Sequence, residues 1–244
     1  MTATDDAHLR ERLLGMTTAT ATAMLNRRGY AQQFMAGAQP THTSARACGR
    51  AVTVRLGPGR PDLVLPEAER NQDALWLAIE SLLPGDVLVI DCGGDTRAGT
   101  TGDILAARVK RLGGAGIVVD GALRDAAQIR ELVGLPCWSR GVHGSGFTPT
   151  LVSLDQGRPV RCFGVTVRPG DYILADGDGV VAIPTALADE IATDGLEQEL
   201  KETFIRGLVE QGVPIAECYP PSAAVLEQYA AWKRHRSSQE AQAS

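Results

Sequence analysis

The stretch from Gly85 to Asp125 reads GDVLVIDCGGDTRAGTTGDILAARVKRLGGAGIVVDGALRD, and its pattern decides the fold. Two short apolar runs, Val87 to Ile90 and Ile117 to Val119, each end in an aspartate with glycine within two residues, Asp91-Cys92-Gly93 and Asp120-Gly121. Between them Leu105, Val109 and Leu112 stand at i, i+4 and i+7, the spacing of one helix face, and Gly113-Gly114 stops the run. Strand, helix, strand in this order is a β-α-β unit. A right-handed crossover brings both strand ends to one edge of a parallel sheet. Ligands of open α/β sheets bind outside that carboxyl edge. Asp91, Asp95, Asp103, Arg124 and Asp125 are therefore expected to gather there.

Outward from this unit the chain keeps an α/β character. Short helices are predicted over 6–14 and 17–28, the second rich in Thr and ended by Gly29. Ala51 to Leu56 alternates as a strand, and Asn71 to Leu83 places Leu75, Ile79 and Leu82 on one helix face. Beyond Asp125 a short helix over 126–133 is predicted, after a turn at Gly121-Ala122-Leu123. Leu135 to Trp138 then forms a short strand, and Gly141 to Thr148 a loop. Val160 to Val167, Tyr172 to Ala175 and Val180 to Ile183 read as a meander, with Asp176-Gly177-Asp178-Gly179 as the last turn. A long helix is predicted from about Ala186 to Gly207. A last one from Ser222 to Arg234 precedes a polar tail expected to fray. With no linker-like interior stretch, a single domain over 1–244 is expected.

Bulk chemistry narrows the function. The 244 residues are 44% hydrophobic and 22% charged, an ordinary globular mixture. A net charge of −5 argues against a nucleic-acid backbone as the main ligand. No apolar run reaches the ~18 residues of a membrane helix. The first ten residues carry acids and no apolar core, so neither a secretory leader nor a membrane anchor is expected. Five cysteines, widely separated and without Cys-x-x-Cys spacing, suit a reducing cytoplasm better than disulfides or zinc.

Several tempting motifs fail on mechanism. Gly94 to Thr101 approaches phosphate-loop spacing, but Thr100 stands where the lysine belongs. Asp176-x-Asp178-Gly179 opens like a calcium loop, yet Leu187 occupies the twelfth position, where the bidentate glutamate is needed. His8, His42, His143 and His235 have no metal-ligand spacing, and Gly144-Ser145-Gly146 is too short for a nucleophile elbow. Gly102-Asp103, by contrast, opens a helix whose free N–H groups can hold an anion. Arg124-Asp125 adds a cation and a carboxylate to the same edge. That set suits a small carboxylate ligand with a divalent metal.

Gly102-Asp103-Ile104-Leu105-Ala106 and Gly116-Ile-Val-Val-Asp-Gly-Ala-Leu-Arg124-Asp125 resemble the signature of a known family. It is the family of 4-hydroxy-4-methyl-2-oxoglutarate aldolase and the regulator of ribonuclease activity A. Gly49 to Val54, Pro84 to Ile90, Val165 to Asp171 and Asp176 to Pro184 support it, so the resemblance spans about residues 17–217. It implies a swivelling β/β/α domain assembled as a homotrimer or homohexamer, with sites between subunits. It also implies a metal-dependent cleavage of 4-hydroxy-2-oxo acids to pyruvate through an enolate, with oxaloacetate decarboxylation through the same intermediate.

By position, the resemblance makes Asp125 the ligand of Mg2+ or Mn2+ and Arg124 the group that binds the pyruvyl oxygens. The N–H groups of Ile104 and Leu105, after Gly102, would hold the substrate carboxylate. Asp103 would hold a water that moves the proton. Family aldolases carry an acid three residues beyond the Arg-Asp aspartate, where this chain has Gln128. Glu202, or Glu199, is the candidate carboxylate offered by a neighbouring subunit. The competing expectation is a non-catalytic trimer that binds a ribonuclease. A methyltransferase reading has no glycine loop to hold its cofactor.

Overall fold

The structure, a computed structural model, describes residues 3–243. Helices α1 (Ala3–Leu14) and α2 (Thr18–Arg27) lead into β1 (Gln39–Pro40) and the long β2 (Ala47–Pro58). Two 3-10 turns, Pro61–Leu63 and Glu67–Gln72, then precede α3 (Ala74–Glu80). The central unit is β3 (Val87–Asp91), α4 (Asp103–Arg111) and β4 (Gly116–Leu123). A short α5 (Ala126–Gln128) runs into a π turn, Ile129–Val133, and β5 (Cys137–Val142). Then follow β6 (Leu151–Gln156), β7 (Val160–Cys162), β8 (Val165–Val167), β9 (Tyr172–Ala175) and β10 (Val180–Ile183). The C-terminal part comprises α6 (Ala188–Glu210), α7 (Ile215–Cys218) and α8 (Ala223–Ala243).

The main sheet runs β1-β5-β4-β3-β2-β9-β10, with β6 also paired to β2. Strands β2, β3, β4 and β5 are mutually parallel, as the crossover requires. Strand β2 organises the junction. Its first residues, Ala47 to Arg50, pair antiparallel with β9, and its last, Val54 to Pro58, pair antiparallel with β6. The expected strand 51–56 is thus the middle of a longer one, and β6 is a strand the sequence pattern did not reveal.

Both sheet faces are covered, so the central strands are apolar throughout. Val87, Val89, Val118 and Trp138 face a core shared with the β7–β8 hairpin. Leu88, Ile90, Ile117 and Val119 face the other way, against Leu75 and Ile79 of α3 and Val109 of α4. Each such buried side chain contributes about 1.5–3 kcal/mol. A third core joins α1, α2 and α6 to β9 and β10.

Several boundaries differ from expectation. Gly121 to Leu123 is the end of β4 and fully buried, not a turn; a register shift between Val119 and Ala122 absorbs the irregularity. The predicted helix over 71–83 is divided by Asp73. Its carboxylate accepts from Leu75 N–H at 2.9 Å and so caps α3, leaving 67–72 as a tighter turn. The Val160–Val167 strand folds at Phe163-Gly164 into the β7–β8 hairpin. The tail expected to fray continues as α8 to Ala243, in keeping with its Ala, Gln, Glu, Lys and Arg content. Ser244 lies outside the described residues.

The Asp176 turn is structural, as its hairpin reading implies. The buried Asp176 carboxylate accepts from Thr18 N–H and Thr18 Oγ1, both at 2.8 Å, holding the first turn of α2. Its carbonyl accepts from the indole N–H of buried Trp138 at 2.8 Å. Asp176→Ala is expected to cost about 2–3 kcal/mol, because Thr18 keeps a buried donor without a partner. A lowered urea midpoint at unchanged slope is the expected result. An unchanged midpoint would show that water replaces the carboxylate.

Candidate functional site

The β3-α4-β4 unit delivers its two specific blocks to one place. At the end of β4, Arg124 N–H donates to the carbonyl of Thr101 at 2.9 Å. Leu105 N–H, a first-turn donor of α4, has no acceptor among the described residues and lies at the positive end of the helix. Ile104 N–H, in contrast, donates to the Asp103 carboxylate at 2.9 Å. Of the two N–H groups expected to hold an anion, one is free and the other is held by its neighbour.

Arg124 Nε lies 3.1 Å from Asp125 Oδ2, and both side chains are partly exposed. Asp125 has φ +54°, in the left-handed region that non-glycine residues seldom adopt. It occupies the N-cap of α5 without making a side-chain cap. Its carboxylate is thus held by strained backbone and one guanidinium contact rather than spent on a helix end. Glycines make room for the pair. A Cβ on Gly102 would stand 2.7 Å from Asp125 Oδ2 and 3.3 Å from Arg124 Nε. One on Gly99 would stand 2.7 Å from Arg124 Cβ.

A cavity of about 470 Å3 opens beside Arg124, while Asp125 and Asp103 stand outside its lining. Gly102, Ile104, Leu105 and Arg124 line it, together with Thr100, Arg70 and Asp73. Its apolar wall comes from Leu63, Val64, Leu65, Trp76 and Phe147. Ile104 is 77% exposed at its mouth. Sequence reasoning missed the whole 63–76 wall, because Pro58-Gly59-Arg60-Pro61 reads as punctuation rather than as the start of a site. A tryptophan and an arginine near a capped helix start were the signals available.

Asp91 and Asp95, expected at this edge, are elsewhere. Strand alternation explains Asp91: it shares a face with Val87 and Val89, toward the hairpin. It accepts from Gly93 N–H at 2.8 Å and Arg161 N–H at 3.1 Å. Its cross-strand neighbour Asp120 accepts from Phe163 N–H at 2.8 Å and pairs with Arg140. These two buried acids anchor the β7–β8 hairpin. Asp95 pairs with exposed Arg97, whose contact holds its carboxyl below the usual range. His143 accepts from Ser145 N–H at 3.1 Å, ordering its loop without lining the cavity. The phosphate-loop reading also fails geometrically. Gly99 and Thr100 N–H donate to the carbonyls of Ser145 and Ala122, at 2.8 and 2.9 Å.

Gln128 is exposed on the last residue of α5. Glu199 is committed within its own chain, accepting from Thr17 N–H at 2.8 Å and Thr17 Oγ1 at 2.9 Å. Glu202 accepts from Gln198 at 2.7 Å on α6. That helix packs on α1 and α2, away from the cavity of the same chain. Among the described residues no cluster of three or more His, Cys, Asp and Glu is arranged to hold an ion. Asp125 suits a different kind of site. Mg2+ commonly binds through one or two carboxylates, with water and substrate oxygens completing its octahedron. Among the described residues no helix is long and apolar enough to cross a membrane.

Comparison with known proteins agrees with this architecture. The family model described as RraA-like, Aldolase/RraA, matches residues 7–182, a span that begins earlier and ends sooner than the expected 17–217. A Halalkalibacterium halodurans protein named "Putative 4-hydroxy-4-methyl-2-oxoglutarate aldolase" is 34% identical over 181 residues, covering 74% of this chain and 80% of that one. The 4-hydroxy-4-methyl-2-oxoglutarate aldolase of Thermus thermophilus is 36% identical over 105 residues, 41% of this chain and 60% of that one. Among solved structures, Streptomyces coelicolor RraAS2, called an unusual member of the RNase ES inhibitor RraA protein family, superposes with a TM-score of 0.74. It is 36% identical, with 82% of this chain and 96% of that one covered. With its crossover unit, its glycine-lined Arg-Asp pair and these matches in accord, the chain belongs to the RraA-like, Aldolase/RraA family.

Proposed function

We propose that the chain is a divalent-metal-dependent aldolase that cleaves a 4-hydroxy-2-oxo acid, of the 4-hydroxy-4-methyl-2-oxoglutarate type, to pyruvate. The observation that carries this reading is Arg124, lining one cavity with the first turn of α4 and holding Asp125 behind it at 3.1 Å. Retro-aldol cleavage breaks C3–C4 and leaves the electron pair on the enolate of pyruvate, while the C4 hydroxyl loses its proton to become a carbonyl. Oxaloacetate decarboxylation reaches the same enolate by losing CO2.

Each residue has a part in that chemistry. Leu105 N–H and the α4 dipole receive the C1 carboxylate. Arg124 grips the keto and carboxylate oxygens with its planar fork and stabilises charge as it grows on the enolate oxygen. Asp103, on the first turn of α4, holds a water that carries protons to and from the substrate. Asp125 would hold Mg2+ or Mn2+, which would supply Lewis-acid stabilisation of the enolate charge beside Arg124. We further propose a homotrimer or homohexamer, in which Glu202 of a neighbouring copy approaches the site that Gln128 leaves one charge short. Sedimentation at micromolar concentration that shows only monomer would refute the shared site.

The second reading, a ribonuclease-binding regulator without catalysis, is favoured by Gln128 and by the likeness to RraAS2. Turnover separates the two. Pyruvate release from a 4-hydroxy-2-oxo acid or from oxaloacetate is expected with Mg2+ or Mn2+ and is expected to vanish with chelator. No metal-dependent release from any of them would hand the assignment to the regulator.

Two variants test the roles. Asp125→Ala is expected to abolish metal-dependent turnover while leaving thermal stability near wild type, since the carboxylate caps nothing and is partly exposed. Wild-type rates in that variant would remove Asp125 from the mechanism. Arg124→Lys keeps the charge and loses the fork. Its kcat is expected to fall on the order of 100-fold, with a smaller change in KM. A lower melting temperature with kcat per folded molecule unchanged would make Arg124 structural instead.

A further inference from the structure

The cavity has two arginines, and only one of them has a place in the chemistry above. Arg70 lines it from the 3-10 turn that precedes α3. Its backbone is fixed, for its carbonyl accepts from Asp73 N–H at 3.1 Å. Its guanidinium has no ion pair among the described residues, although Glu67 and Glu69 share its turn. The acid that lines the cavity with it, Asp73, is already engaged. Its Oδ1 accepts from Leu75 N–H at 2.9 Å and from Ser153 Oγ at 2.8 Å. Trp76, Phe147 and the Leu63–Leu65 segment line the same cavity as the two arginines. That wall suits a short carbon chain and weakens solvent screening of charges beside it.

We propose that Arg70 is a specificity-determining residue that holds a second carboxylate at the far end of the substrate. The cavity then selects dicarboxylic 2-oxo acids over those with an apolar tail. For turnover this rests on the aldolase reading; for binding it does not. A carboxylate presents two coplanar oxygens to the guanidinium fork, and a methyl group in its place offers the guanidinium nothing.

The test uses two probes of equal length, 2-oxoglutarate and 2-oxopentanoate, titrated calorimetrically into the full-length protein with Mg2+. Wild type is expected to bind 2-oxoglutarate roughly 10- to 100-fold more tightly, the range for a hydrogen bond to a charged group. Arg70→Ala is expected to bring the ratio near one, and Arg70→Lys to restore part of it. Arg70→Gln, of similar length, serves if alanine disturbs the turn. The ratio of kcat/KM for 4-hydroxy-2-oxoglutarate over 4-hydroxy-2-oxopentanoate should move in parallel. A merely structural Arg70 would weaken both ligands alike, and that result overturns the proposal. Equal affinity in wild type, or no binding of either probe at millimolar concentration, overturns it too. An Arg70-dependent preference without turnover of any substrate would leave this role standing and remove the aldolase reading.

Discussion

One hydrogen bond fastens the site together: Arg124 N–H to the Thr101 carbonyl, at 2.9 Å. It joins the residue that follows β4 to the residue that precedes the N-cap of α4. Three consequences follow. The arginine side chain starts beside Gly99, where a Cβ would stand 2.7 Å from Arg124 Cβ. The closure sets Arg124 beside the first turn of α4, where Leu105 N–H has no acceptor among the described residues. The chain leaves β4 at a fixed angle, and Asp125 must take φ +54° to enter α5. Cation, free helix end and strained carboxylate are thus brought together by one local closure rather than by three accidents of packing.

The parallel sheet sets how rigid that closure is. Strands β3 and β4 are buried on both faces and paired in register from Val87–Gly116 to Asp91–Asp120. A one-residue slip would exchange the apolar contacts to α3 and α4 with those to the hairpin. It would also withdraw Asp91 and Asp120 from the hairpin N–H groups they satisfy, which is costly for buried carboxylates. The acids that do not reach the cavity therefore protect the register on which the cavity depends.

Periodicity made the crossover unit legible, because apolar runs and an i, i+4, i+7 helix face are local patterns. Gly102-Asp103 and Arg124-Asp125 were legible for the same reason: each marks a strand-to-helix or loop-to-helix boundary within a few residues. What alternation implies for Asp91 was also in the sequence, since Val87, Val89 and Asp91 must share a face. Grouping it with Arg124 ignored that parity. The 63–76 wall was not legible. Its conformation depends on Asp73, which caps α3 and accepts from Ser153, 80 residues onward on β6. No local pattern predicts a contact of that kind. Glu199 has the same character, for its role at the start of α2 exists only once α6 has packed there.

The distribution of charge explains why one fold can host either catalysis or partner binding. Asp125 is the one carboxylate freed from structural duty beside Arg124, while Asp73, Asp91, Asp120, Asp176 and Glu199 each satisfy backbone donors. Those satisfied acids contribute to stability and leave the chemistry to very few groups. A single carboxylate with an incomplete coordination sphere binds a divalent cation weakly, unless substrate oxygens and a neighbouring subunit add to it. On the proposed aldolase reading, Gln128 in place of an acid would lower that affinity further, because an amide accepts hydrogen bonds without adding charge. Metal and 2-oxo acid should then bind cooperatively, each completing the site for the other, and that coupling is reciprocal by thermodynamic necessity. On that same reading, scarcity of free carboxylates would make loss of one group, Asp125, enough to turn a catalytic arrangement into a mere surface.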